Sequence, residues 1–486
     1  MEMARKGSYL RILYFWTAIL MAAGCAVGPE YAPPETSVDL SQWQQSPEYG
    51  LVASSADISE WWQVFDAPHL NELVNRGLSG NLDLDQARSR VREARAARGI
   101  EAAGRFPVLT ASGSAARVKE GDRPTTEFYA SDFDAAWEID IFGRVSRRLD
   151  ASTADLQASI EDLRSVQVSL VAEIALNYVE VRAFQNRIRV AQSNLEAQQK
   201  TLEVVTDRFD LQLANSLEVE QAKSNLAASR AQVPLLRAGL QQAMNRLAVL
   251  TGDKPGTLND DFQRPSSVPT APPEIAIGIP ADLIRRRPDI RRAERELAAQ
   301  SARVGMATAE LYPRFAFNGT LSFSAADASN LFSSMNRLLA IGPAFQWNVF
   351  NAGSVRSNID VQSERQQQAL LAYELTVLRA LEEAENAMTD YARELDRQAH
   401  LRQAASAARN AADIAESLYM DGLRDYIYVL DAQRALFALE DSLASSSAQV
   451  AANLIRLYKA LGGGWDPAGN QGPAEPQTYN PIQNGE

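Results

Sequence analysis

The chain has 486 residues, and 48 Lys+Arg against 61 Asp+Glu leave it a net charge of −13. That acidic balance excludes a protein that neutralises phosphate backbones in bulk. Two histidines, His69 and His400, and one cysteine, Cys25, are too few for a zinc cluster, a disulfide framework or a Cys–His nucleophile pair. No run of eighteen consecutive apolar residues occurs, so no helix crosses a bilayer and any membrane span must be built from strands.

Residues 1–24 read as an export signal. Arg5, Lys6 and Arg11 precede an apolar run over 12–23 that is too short to span a membrane. Met21-Ala22-Ala23-Gly24-Cys25 resembles a bacterial lipoprotein signal, in which Cys25 becomes the first residue and carries covalent diacylglycerol and N-acyl lipid. No other cofactor is expected. A lone cysteine in an oxidising compartment has no disulfide partner, and a capped thioether needs none. Ala26 in place of aspartate after the cysteine implies the outer membrane. Residues 25–81 then form an acylated N-terminal segment.

The rest of the chain repeats itself. Val219, Leu226, Val233, Leu240 and Leu247 recur 210 positions later as Val429, Leu436, Leu443, Val450 and Leu457. Trp137, Gly143 and Gly252 recur as Trp347, Gly353 and Gly462, while Asp83, Gly99 and Pro107 recur at an offset of 206 as Asp289, Gly305 and Pro313. Residues 82–252 are the first repeat and 282–461 the second. A Pro-rich linker over 253–281 joins them, and a flexible tail over 462–486 follows.

Each repeat reads as helix, two strands, long helix, second helix. In the first, the leading helix spans 82–105 and the second helix 216–251, where Pro234 predicts a kink. The long helix spans 145–209, with Ile174, Val181, Ile188, Leu195, Leu202 and Phe209 spaced by seven, a seam that demands coiled-coil packing. At 1.5 Å per residue the long helix measures about 97 Å and the other two sum to about 90 Å, so the short pair stacks end to end beside it. The strands have period two. Phe133, Ala135, Trp137, Ile139 and Ile141 alternate with Asp132, Asp134, Ala136, Glu138 and Asp140. Residues 314–324 alternate likewise, as do those from Leu339 to Val349, whereas 108–118 is weak and rich in small residues. Such strands fit an outer-membrane barrel with a polar lumen. Four cannot close one, and lipid forbids an open edge, so two, three or four chains must pool their strands.

These residues resemble the TolC-type outer-membrane factor family, in its NodT/OprM-like lipoprotein branch. The likeness is carried by Cys25-Ala26-Val27-Gly28-Pro29-Glu30-Tyr31, Trp61-Trp62 with Phe65-Asp66, Trp137-Glu138-Ile139-Asp140-Ile141-Phe142-Gly143-Arg144, and above all by Ile279-Pro280-Ala281-Asp282-Leu283-Ile284-Arg285-Arg286-Arg287-Pro288-Asp289-Ile290. The resemblance implies an α+β membrane protein. Three chains would form a twelve-stranded β-barrel, four strands from each, continued by a long periplasmic α-helical barrel. The implied function is the outer-membrane exit duct of a tripartite efflux system for small toxic molecules or drugs. Its partners would be a periplasmic adaptor and an inner-membrane pump of the resistance–nodulation–division type, which supplies the energy. Two alternatives stand beside it: the exit channel of an ATP-driven protein or peptide exporter, and a non-channel coiled-coil lipoprotein bridging the envelope.

The resemblance also places a gate and contacts at the helical tips, in the turns 211–216 and 421–426. Tyr419, Gly422, Leu423, Val429, Leu430, Asp431, Ala432 and Gln433 match the family's tip motif. Asp431 would ring the periplasmic entrance, accompanied by Ile427 and by Arg434, which would help hold the helices together. Gln221 stands where the second repeat has Asp431, so three carboxylates would face one another and closure would be cation-sensitive. Adaptor contacts would fall on Asn215, Ser216, Gly422, Leu423 and Asp425.

Other clusters read blandly. Arg285-Arg286-Arg287 is a helix-leading group with solvated charges, given a packing role by the resemblance. Glu382, Glu383 and Glu385 form a solvated or lumen-facing stripe beside Arg379. Gly462-Gly463-Gly464-Trp465 reads as a C-cap and tail. No Walker box, G-x-S-x-G elbow or H-E-x-x-H helix occurs, so no enzyme is expected, and an exported acidic chain is expected to have no nucleic-acid partner.

Overall fold

The computed structural model describes residues 26–34, 40–44, 49–54, 57–270, 272 and 274–466. Cys25 and the signal residues lie outside this range, as do 467–486 of the tail. Strands β1 to β6 are Leu51–Val52, Val108–Val118, Thr126–Ile139, Ile275–Ala276, Arg314–Ala325 and Arg337–Gln346. Helices α1 to α8 are Pro68–Gly80, Leu82–Ala103, Arg144–Asp210, Ser216–Leu250, Pro280–Arg286, Pro288–Ala309, Ser354–Met420 and Tyr426–Ala460. The duplication appears in these bounds. Adding 206 to both ends of α2 gives α6, and adding 210 to both ends of α3 and α4 gives α7 and α8.

The chain divides into two compact units, each described by itself. One holds Arg90–Glu161, Arg291–Leu375 and the segment from residue 26 to 34. Its centre is an antiparallel sheet in the order β2-β3-β5-β6. The register pairs Phe133 with Leu321 and Trp137 with Phe317, then Phe315 with Phe345 and Leu321 with Leu339, so one face is apolar. Asp132 pairs with Ser322 and Asp134 with Thr320 on the other, where Thr320 Oγ1 donates to Asp134 Oδ1 at 2.7 Å and Ser322 to Asp132. On β2 the apolar face is filled by Leu109, Ala111, Gly113 and Ala115, which explains why that strand is faint in sequence. β6 ends at Gln346, so Trp347 and Val349, expected inside the strand, fall in the turn after it.

The entry into α3 is locally encoded. Asp140 accepts from the N–H groups of Val145 (2.9 Å) and Ser146 (2.7 Å), satisfying two orphan donors of the first turn. Gly143 turns the chain there at φ +80°, as Gly353 does before α7 at +87°. The N-terminal segment is laid against this unit. Val27 N donates to Phe142 O (3.2 Å), Tyr31 Oη donates to Glu294 Oε1 (3.0 Å), and a Cβ on Gly28 would stand 2.5 Å from the Gly305 backbone.

The second unit holds Asp162–Ile290 and the described parts of 37–89 and 376–486. Of the predicted seam, Ile174, Val181, Val219, Leu226, Val233, Leu247, Val429, Val450 and Leu457 are buried. α4 continues through Pro234, which sits on its exposed face, instead of breaking there. Three further segments of this unit are packed. The Pro-rich linker is itself packed: Leu258, Phe262, Val268, Ile275 and Ile277 are buried, and β4 pairs with β1 in parallel. The flexible tail does not begin at 462. Gly462 caps α8 at φ +76°, Trp465 is buried with its indole donating to Arg286 O (3.0 Å), and the Arg164 guanidinium lies 4.6 Å over its ring. Finally, Arg287 takes the packing role that the resemblance implies, and its charge does not stay solvated. It is 12% exposed and bridges Asp289 and Glu383 at 2.7 Å each while donating to Ala460 O at 2.8 Å. The acidic stripe is accordingly engaged, with Glu385 also accepting from Gln44 N at 2.8 Å.

Candidate functional site

The tips of the two helical hairpins form the site, and both turns are built alike. Leu213 N donates to Arg208 O (2.7 Å) and Gln212 N to Phe209 O (2.9 Å); in the second turn Leu423 N donates to Leu418 O (2.9 Å) and Gly422 N to Tyr419 O (3.0 Å). Each pair is a Schellman closure, with Gln212 at φ +60° and Gly422 at +71° in the left-handed position. Asn215 then caps α4 by accepting from Glu218 N at 3.1 Å. Asp425 occupies the same place before α8 but makes no side-chain cap bond. Ser216, Leu423 and Asp425 are exposed, as are Leu211, Leu213 and Leu217. The turns therefore present apolar side chains to their surroundings.

Behind the turns the hairpins are joined. Val205, Val219, Ala222, Tyr419, Tyr426, Val429 and Leu430 form one buried cluster. Polar bonds surround it: Tyr419 Oη donates to Glu218 Oε2 (2.9 Å), Gln433 Nε2 to Thr201 Oγ1 (2.8 Å), and Arg208 Nη1 to Met420 O (2.9 Å) with its guanidinium 4.7 Å over the Tyr419 ring. Burial, reinforced by the carboxylate of Glu218, pushes the Tyr419 phenol well above its ordinary range, so it stays a donor. Burial also raises Tyr426.

The predicted gate residues separate into two roles. Ile427 and Asp431 lie one turn apart on α8 and both are exposed. Asp431 has no hydrogen-bond or ion-pair partner among the described residues. Arg434 turns away from it: its Nε donates to Asn225 Oδ1 at 3.0 Å, tying α8 to α4 through a buried amide. Sequence reasoning missed Arg208, Thr201, Glu218 and Asn225. Asn225 adjoins the seam residue Leu226, and a polar residue at such a place was the available signal.

A sheet apolar on one face and polar on the other, carried by a chain whose paired long helices end in such tips, defines a channel protein of the outer envelope. The chain belongs to the outer membrane efflux protein family, whose sequence model matches residues 73–253 and 279–463, one segment in each repeat. Nodulation protein T of Rhizobium leguminosarum bv. trifolii is 30% identical over 459 residues, covering 93% of this chain and 97% of its own. The pyoverdine export outer membrane protein OpmQ of Pseudomonas aeruginosa is 32% identical over 417 residues, covering 83% and 87%. Among solved structures, the outer-membrane channel OprN superposes with a TM-score of 0.85 at 39% identity, covering 91% of this chain and 100% of its own. The chain is thus an outer-membrane channel of the efflux type, and the family's members are channels.

Proposed function

We propose that three copies of this chain close a twelve-stranded barrel that serves as the non-enzymatic exit duct of a tripartite efflux system for small toxic molecules. A periplasmic adaptor and an inner-membrane pump of the resistance–nodulation–division type feed it. The observation that carries the reading is the four-stranded sheet. Among the described residues the outer edges of β2 and β6 have no strand partner, and the two strands run in opposite directions, so copies join edge to edge as a continuous antiparallel barrel. The OpmQ relative, named for pyoverdine export, supports a small-molecule cargo. The lipoprotein-like run that ends at Cys25 supports a lipid anchor on that residue.

Asp431, exposed and unpartnered beside Ile427, is the pore-facing group of the gate, while Arg434 acts as a staple. Planar-bilayer recordings test this assignment. Asp431→Ala is expected to raise resting conductance and abolish block by divalent cations, and unchanged traces would remove Asp431 from the gate. Photo-crosslinking from Asn215 and Asp425 in cells tests the partners. Capture of an adaptor with a proton-driven pump supports the efflux assembly, whereas capture of an ATP-driven exporter moves the channel to secretion.

A further inference from the structure

The Pro-rich connection between the repeats walls a cavity within the second unit. Its volume is about 720 Å³, inside the range of sites for small organic molecules. Pro265 and Val268 of the connection, Arg189 of α3, Tyr391 and Arg402 of α7, and Val450 of α8 line it. Both repeats therefore supply side chains to one space, and none of these residues belongs to the tips.

The lining is cationic in a chain of net charge −13. Arg189 donates to Asn186 Oδ1 (2.6 Å) and Arg402 to Gln398 Oε1 (3.3 Å), both neutral amides. Both arginines are exposed, and among the described residues no carboxylate lines the cavity. The acids close by on α7 are engaged elsewhere: Asp396 accepts from Tyr49 and from Arg393 (3.1 Å), Glu394 from Ser446 and from Arg397 (2.8 Å). Tyr391 is 2% exposed, and its hydroxyl has no hydrogen-bond partner among the described residues. A buried hydroxyl left without a partner costs free energy that a ligand oxygen would recover. Val268, Pro269 and Val450, all buried, give the same space an apolar wall.

We propose that this cavity binds a small amphipathic organic acid, with its carboxylate on Arg189 and Arg402, its apolar body on the proline and valine wall, and a second oxygen on the Tyr391 hydroxyl. Guanidiniums bind carboxylates through short, charge-assisted bonds, which sets the charged end. The spacing sets the length. Tyr391 and Arg402 are eleven residues apart on α7, three turns and about 16 Å along one face. Arg402 leans back toward Tyr391, as its bond to Gln398 shows, and its side chain covers part of that distance. The remainder suits a flat body of two fused rings. Burial holds the Tyr391 phenol above its ordinary range, so it meets the ligand as a neutral donor. The site depends on neither the barrel nor the efflux reading, and a bound acid would tie α3 of the first repeat to α7 of the second.

Equilibrium dialysis of the full-length protein in nanodiscs of uncharged phosphatidylcholine, with empty nanodiscs as reference, tests the site. The probe is 6-hydroxy-2-naphthoate, which carries a carboxylate and a hydroxyl at opposite ends of two fused rings. It is expected to bind saturably, one per chain, and the uncharged 6-hydroxymethyl-2-naphthol about tenfold more weakly. Arg189→Gln/Arg402→Gln is expected to weaken the naphthoate about tenfold while leaving the thermal midpoint of the unliganded protein unchanged. Tyr391→Phe is expected to weaken 6-hydroxy-2-naphthoate roughly fivefold and to leave 2-naphthoate, which lacks the hydroxyl, unaffected. A general loosening of the cavity would weaken both acids alike and would remove Tyr391 from the site. No saturable binding at millimolar probe, or equal binding of acid and alcohol by the parent and both variants, overturns the proposal.

Discussion

Trp137 and Trp347 stand 210 positions apart and make the same bond. Each indole N–H donates to the carbonyl two residues past the end of the leading helix of its own repeat, Arg105 O at 2.9 Å and Leu311 O at 3.0 Å. The carbonyls beyond a helix C-terminus lack intrahelical partners, and an indole supplies a donor on an apolar body. Such amphipathic rings suit the boundary between lipid and water.

Trp137→Phe and Trp347→Phe keep the ring and remove the donor. Each is expected to lower stability by about 1 kcal/mol. The two sites share no partner, so the double variant should lose the sum. The thermal midpoint of the sheet signal in circular dichroism checks this, and an unchanged midpoint would assign the tryptophans to lipid contact alone.

His69 gives the protein an acid limit. Burial first, and then the neighbouring Arg182, hold its imidazole below the ordinary histidine range. Its Nδ1 lies 3.3 Å from Arg182 Nη2, where only a neutral ring accepts. An unfolded histidine protonates below about pH 6.5 while the folded one resists, so the unfolded state binds more protons and stability falls as pH drops through that value. His69→Gln should flatten the decline, as read from urea midpoints between pH 7 and 5.

The two tip turns differ in how well their residues suit the left-handed position. Gly422 adopts φ +71° freely, whereas Gln212 adopts +60° against a Cβ penalty. Gln212→Gly should therefore protect the first turn against proteolysis, and Gly422→Ala should expose the second, each by about 1 kcal/mol of local opening energy. Equal cleavage rates in all three proteins would contradict this.

Arg287 and Glu383 form a pair with unequal burial, 12% and 50% exposed. Arg287→Ala removes the bonds to Asp289, Glu383 and Ala460 O together and should cost about 3 kcal/mol. Glu383→Gln leaves Arg287 paired with Asp289 and should cost less than about 1 kcal/mol. Denaturant midpoints of the two variants provide the comparison.

Much of this architecture is legible one element at a time. The seven-residue seam through Val219 and Val429, the alternation from Asp132 to Ile141 and the glycines that return after a fixed offset mark the helices, the sheet faces and the turns. The candidate gate is legible only in part. Asp431 and Ile427 are exposed together as their spacing suggests, but Arg434 bonds to Asn225, 209 residues away, and no local period announces that. Asp431 as a pore charge remains the proposal that the conductance recordings decide.

The sequence by itself determined the repeats, the lengths of α3 and α7, the strand faces and the need for more than one chain, because periodicity and unpaired strand edges follow from covalent geometry and backbone hydrogen bonding. Tertiary structure alone decided that the Pro-rich stretch is core, that Arg287 is buried, and that Gly462 to Trp465 pack instead of trailing. Those outcomes depend on partners far along the chain, Glu383 for Arg287 and Arg164 for Trp465. A charged or glycine-rich segment is solvated until such a partner arrives, and only the folded chain brings it there.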